Sequence, residues 1–95
     1  MRVSLIGGMT RLERSYLDEA EKFGVDLRIF NSAGSQLKKR LGQAECMILF
    51  TGKMSHQIRR DVMDVAKSQG IPVFMFHSCW VCTLRSCLEC IVKRN

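Results

Sequence analysis

The residues ECMILFTGKMSHQIRRDVMDVAKSQGIPVFMF, numbers 45–76, read as strand, helix and strand. The first piece, Glu45–Phe50, is apolar from Cys46 onward, as a strand covered on both faces must be. Thr51-Gly52-Lys53 makes a turn. Over Ser55–Ser68 the apolar positions Ile58, Val62, Val65 and Ala66 share one helical face, and Arg59, Arg60, Asp64 and Lys67 take the other. Gly70 ends that helix. Ile71–Phe76 is a second continuous apolar strand, with Pro72 at its start, where no ladder donor is lost. Two such strands joined through a helix lie parallel, with a right-handed crossover.

The preceding residues repeat the pattern. Arg2–Ile6 reads as a buried strand ending at Gly7-Gly8. Thr10 followed three residues later by Glu13 has capping-box spacing. Leu12, Tyr16, Ala20 and Phe23 then recur at helical intervals up to Gly24. Val25–Phe30 is a strand, Asn31, Ser32, Gly34 and Ser35 form a loop, and Gln36–Leu41 is a short helix closed by Gly42. Ser78–Lys93 reads as a final helix. The order βαβαβαβα predicts an α/β fold. Its sheet is a small, parallel, four-stranded one in the order 2-1-3-4, with helices on both faces in a flavodoxin- or Rossmann-like arrangement. The 95 residues make one domain. A chain this short buries only about 60–65% of its unfolded surface, so a partner subunit or a bound cofactor would stabilise it.

Composition narrows the function classes. No apolar run approaches the roughly 18 residues of a membrane span. The opening MRVSLIGGM is too short in apolar residues for a signal-peptide core, so a cytoplasmic protein is expected. The net charge of +6 is compatible with an anionic ligand. Its basic residues are scattered, and one Trp and one Tyr offer little to stack on bases, so nucleic acid is not the expected partner. Five cysteines, an odd number, argue against a disulfide framework in a reducing compartment.

The pieces also match a known pattern. Gly7-Gly8 follows the first strand, Ala44-Glu45-Cys46-Met47-Ile48 leads into the third, Ser55-His56 opens the long helix, and Ala66-Lys67 precedes Gly70-Ile71-Pro72-Val73. In this order and spacing, over nearly the whole chain, the sequence resembles the uncharacterised bacterial family catalogued as domain of unknown function 2325. That resemblance implies the fold and carries no enzymatic activity with it. Members usually continue after the last strand with small polar residues and glycine. This chain instead has His77-Ser78-Cys79-Trp80-Val81-Cys82, a departure that points to a specialised subgroup.

The departure holds the strongest chemical signal. Cys79, Cys82, Cys87 and Cys90 form two C-x-x-C units within twelve residues, a pattern of thiolate metal ligation. At about 100° per residue all four fall on one stripe of a helix, beside an apolar stripe of Trp80, Leu84, Leu88 and Ile91. Cys79 and Cys90 are nonetheless about 16 Å apart along a helix rising about 1.5 Å per residue. One tetrahedral ion cannot gather all four from one straight helix. Either the helix breaks near Cys82, or a two-fold axis at the fourth strand brings thiolates from two chains together, which predicts a homodimer.

The expected centre is b-type haem held by a cysteine thiolate, with an iron–sulfur cluster or zinc shared across the dimer as the alternative. Trp80, Leu84, Leu88, Met75 and Phe76 would wall the haem, and Arg85, Lys93 and Arg94 would meet its propionates. His77 is the alternative axial ligand. Cys79, at the start of the last helix, ranks first as thiolate, because a helix N-terminus favours negative charge. Cys46, inside a strand, reads as core. No catalytic constellation stands out, so a sensing or carrier role is expected and not an enzyme. A different possibility is a phosphate or nucleotide switch at the strand ends, where Gly7 and Gly8 face Thr51, Gly52, Ser55 and His56.

Overall fold

The computed structural model describes residues 1–30 and 37–94. The strands are β1 (Arg2–Ile6), β2 (Asp26–Phe30), β3 (Cys46–Phe50) and β4 (Val73–Phe76). The helices are α1 (Glu13–Lys22), α2 (Leu37–Leu41), α3 (His56–Gln69) and α4 (Val81–Arg94), and single 3-10 turns cover Thr10–Leu12 and Thr51–Lys53. The expected loop over 31–35, with Gln36, lies outside the described residues. The sheet is parallel throughout in the order β2-β1-β3-β4. Val3 pairs with Cys46 and Met47 with Val73, so β3 lies at the centre of the ladder.

All five residues of β3 are buried. Cys46, Ile48 and Phe50 face one layer, with Tyr16 and Ala20 of α1 and Leu84, Cys87, Leu88 and Ile91 of α4. Met47 and Leu49 face the other, with Leu37 and Leu41 of α2 and Val62, Val65 and Ala66 of α3. The continuous apolar run in the sequence is therefore a strand with a helix layer on each side. The two edges differ. On β2, Asp26 is ion-paired to Arg2 at 3.2 Å and Arg28 at 3.4 Å. On β4 no residue is charged, and Met75 is 40% exposed.

Some local signals hold, and three are corrected. Ser55 caps α3, its hydroxyl oxygen accepting the Ile58 N–H at 3.3 Å, and Gly70 closes it in the left-handed conformation at φ 65°. The capping box at Thr10 and Glu13 does not form. Leu12 holds the N-cap position of α1 without a side-chain bond, and a 3-10 turn intervenes. The Met9 N–H ahead of that turn is instead bound by the Tyr16 hydroxyl. The final helix also begins later than expected, at Val81, with the Trp80 carbonyl accepting the Thr83 and Leu84 N–H groups. Ser78, Cys79 and Trp80 are thus loop residues, and β4 starts at Val73, not Ile71.

Candidate ligand site at the strand ends

Three loops meet above the C-terminal ends of β1, β3 and β4, and glycines let them approach. Gly7 has φ 88°, and a Cβ there would run into the Phe50 carbonyl oxygen. A Cβ on Gly52 would lie 2.6 Å from the His77 carbonyl oxygen, so the loop after β3 packs directly under the loop after β4. Tyr16 of α1 ties the first and last of these loops. Its ring is fully buried against Phe50, with centroids 5.9 Å apart. Its hydroxyl donates to the Cys79 carbonyl at 2.6 Å and accepts the Met9 N–H at 3.2 Å. Burial raises the phenol pKa above its ordinary value, so the ring keeps its proton and its donor role.

Two adjoining hollows open between these loops. One, of about 530 Å³, is lined by Gly7, Gly8, Met9, Thr10, Arg11, Met54, Ser55 and Ile58. It lies at the expected point where strand order reverses and holds Gly7, Gly8 and Ser55, but Thr51, Gly52 and His56 are not among its lining residues. The other, of about 430 Å³, is lined by Gly7, Met9, Arg11, Phe50, Gly52, His77, Ser78, Cys79 and Trp80.

The structure separates the sequence-derived site residues into three groups. His77, Cys79 and Trp80 line the second hollow, and Trp80 is 58% exposed. Cys82 and Cys90 lie at the surface of α4. Cys87 is only 3% exposed and belongs to the core with Cys46. Desolvation, with Cys46 nearby, pushes the Cys87 thiol up to about 12, and burial raises Cys46 as well. The helical wheel places Cys87 on the thiol stripe, but that stripe straddles the edge of the buried face. Cys87 falls beside Ile91, inside; Cys82 and Cys90 fall outside.

Two further expectations need correction. Leu84 and Leu88 are fully buried against the sheet, so they wall no cofactor. Arg85 is committed to Glu19, a buried carboxylate of α1, at 2.6 Å, and Lys22 also reaches Glu19 at 3.4 Å. The Arg85 hydrogen bond is the main reason the Glu19 carboxyl lies below its usual range. Lys93 pairs with Glu89 at 3.1 Å. Among the described residues, no three His, Cys, Asp or Glu side chains come together as a metal-holding group.

Arg11, Met9 and Tyr16 are site residues that sequence reading missed. Tyr16 carries only a helical-face signal along the chain, and its partner Cys79 is 63 residues away.

A parallel βα sheet with its crevice at the reversal of strand order defines a small Rossmann-like α/β domain. A de novo designed Rossmann fold protein is similar over 96% of each chain, at 12% identity and a TM-score of 0.69. So is the lactose-specific IIB component domain of the phosphoenolpyruvate:carbohydrate phosphotransferase system from Streptococcus pneumoniae. That likeness covers 98% of this chain and 95% of that one, at 14% identity and a TM-score of 0.60. Among curated proteins none matches. The chain belongs to the family described as uncharacterized protein conserved in bacteria, domain of unknown function 2325, whose model matches residues 2–91.

Proposed function

We propose that this chain binds b-type haem in the hollow of Phe50, His77, Cys79 and Trp80, as a homodimer with a sensing or carrier role and no catalytic one. The observation that carries the reading is that His77 and Cys79 line one hollow together with Met9 and Trp80. Cys79 is half-buried at the entry to α4, and its carbonyl is held by Tyr16. It is the favoured thiolate ligand, with His77 as neighbour or alternative axial ligand. Met9 and Trp80 supply the apolar contacts, while the Phe50 ring lies fully buried in the core beneath them.

Trp80 is 58% exposed at the rim of the hollow, and a second copy would cover it and a flat ligand beside it. The β4 edge next to it has no charged residue of its own, with the Arg59 guanidinium reaching the Met75 sulfur at 3.9 Å, and is the surface we assign to that copy, whereas ion pairs occupy the β2 edge. An iron–sulfur or zinc centre is the less favoured alternative, since it would need thiolates from two chains and Cys87 is in the core.

Titration of purified protein with ferric haem, followed by absorbance, tests the reading. Saturable binding is expected, with a spectrum lost or strongly shifted in Cys79→Ala and nearly unchanged in Cys46→Ala and Cys82→Ala. Absence of saturable binding would overturn it, as would a wild-type spectrum in a variant lacking both Cys79 and His77.

A further inference from the structure

We propose that Arg11 anchors the carboxylates of the bound tetrapyrrole, which project from the His77 hollow into the neighbouring hollow of Thr10 and Ser55. This inference rests on the haem reading and assigns it an anion subsite. The two hollows share Gly7, Met9 and Arg11, so they adjoin along the loop after β1. Arg11 is the one permanently charged side chain among the described residues lining either hollow. It is exposed, and among the described residues no carboxylate pairs with it. Of the cations first expected to meet the propionates, Arg85 holds Glu19 and Lys93 holds Glu89.

The ligand's chemistry fits this division. A b-type tetrapyrrole is flat and apolar except for two carboxylates along one edge. Its body suits Met9 and Trp80, and its edge suits a guanidinium, which binds a carboxylate through two parallel charge-assisted hydrogen bonds. The Ser55 hydroxyl accepts the Ile58 N–H as the cap of α3, which leaves its own proton to donate to an anion. The anchoring turn is itself fixed, because the Met9 N–H two residues before Arg11 is bound to Tyr16.

The experiment compares metal-free protoporphyrin IX with its dimethyl ester by fluorescence, and ferric haem by absorbance. It uses wild type, Arg11→Gln, Arg11→Lys and the control Arg60→Gln on the outer face of α3. Wild type should prefer the free acid over the ester. Arg11→Gln should weaken haem and the free acid about tenfold, the scale of a charge-assisted hydrogen bond, and erase the preference. Arg11→Lys should restore part of the loss, and Arg60→Gln should behave as wild type. Wild-type affinity and an intact acid preference in Arg11→Gln would overturn the subsite and leave the haem reading standing. Failure of every tetrapyrrole to bind wild type would overturn the haem reading, and the subsite with it.

Discussion

Replacing Tyr16 by Phe removes one oxygen atom and tests whether a single hydroxyl holds the ligand end of the molecule together. The ring stays in place, since its packing on Phe50 involves carbon atoms present in both residues. Two hydrogen bonds disappear, the 2.6 Å bond to the Cys79 carbonyl and the 3.2 Å bond from the Met9 N–H. Each is worth about 1 kcal/mol net, and the exposed partners regain water because Met9 and Cys79 are only half-buried. The expected loss is therefore about 2 kcal/mol. In urea, with a slope of about 1–1.5 kcal/mol per molar for a small chain, the midpoint should fall by roughly 1.5 M at unchanged slope. Ferric haem affinity should fall too, because Cys79 loses its tie to α1. A midpoint shift below about 0.3 M at unchanged slope would refute the bridging role. A full stability loss with wild-type haem affinity would show that the bridge supports the fold and not the site.

Two other outcomes follow from the core and the sheet edge. The Cys87 thiol is raised in the folded state to about 12 from an ordinary value near 9, so the folded chain holds that proton more tightly than the unfolded one. Its contribution is fully present below about pH 9 and is lost as pH rises toward about 12, by an amount of order 4 kcal/mol. Urea midpoints across that range should fall more steeply for wild type than for Cys87→Ala, and equal slopes would contradict the burial argument. At the β4 edge, Met75→Lys places a charge on the strand assigned to self-association, and sedimentation with ferric haem present should show dimer affinity reduced at least tenfold, about 1.4 kcal/mol. An unchanged dimer would place the interface elsewhere.

The sheet order was legible because its signals are one-dimensional. Cys46–Phe50 is apolar at every position, and that pattern alone demands cover on both faces. Ser55 and Gly70 mark the ends of α3 by local chemistry, without help from distant residues. Thr10 and Glu13 misled for the opposite reason: the competing partner for that turn, Tyr16, acts through space from within the following helix. The cysteines show the same limit. Spacing put four thiols on one stripe, but the boundary between core and solvent runs through that stripe and is set by how α4 rolls against β1 and β3. Helical periodicity fixes relative angles and leaves the absolute roll to packing.

The roll of α4 also explains why the candidate site is small and near the helix start. Leu84, Cys87, Leu88 and Ile91 are all drawn onto the sheet, and the Glu19–Arg85 pair fixes the adjacent flank against α1. Ahead of the helix the backbone is held by Tyr16 and by the close approach of Gly52 to His77. Residues on such a tied loop can be positioned more tightly than their exposure suggests, because the loop ends are anchored to two different elements, α1 and the turn after β3. Two residues that the C-x-x-C spacing grouped together differ in the structure. Cys87 closes the core beside Cys46, and Cys79 is the residue we propose as ligand. A variant that exchanges Cys87 for Ala should therefore change stability against pH while leaving the haem spectrum alone, and Cys79→Ala should do the reverse.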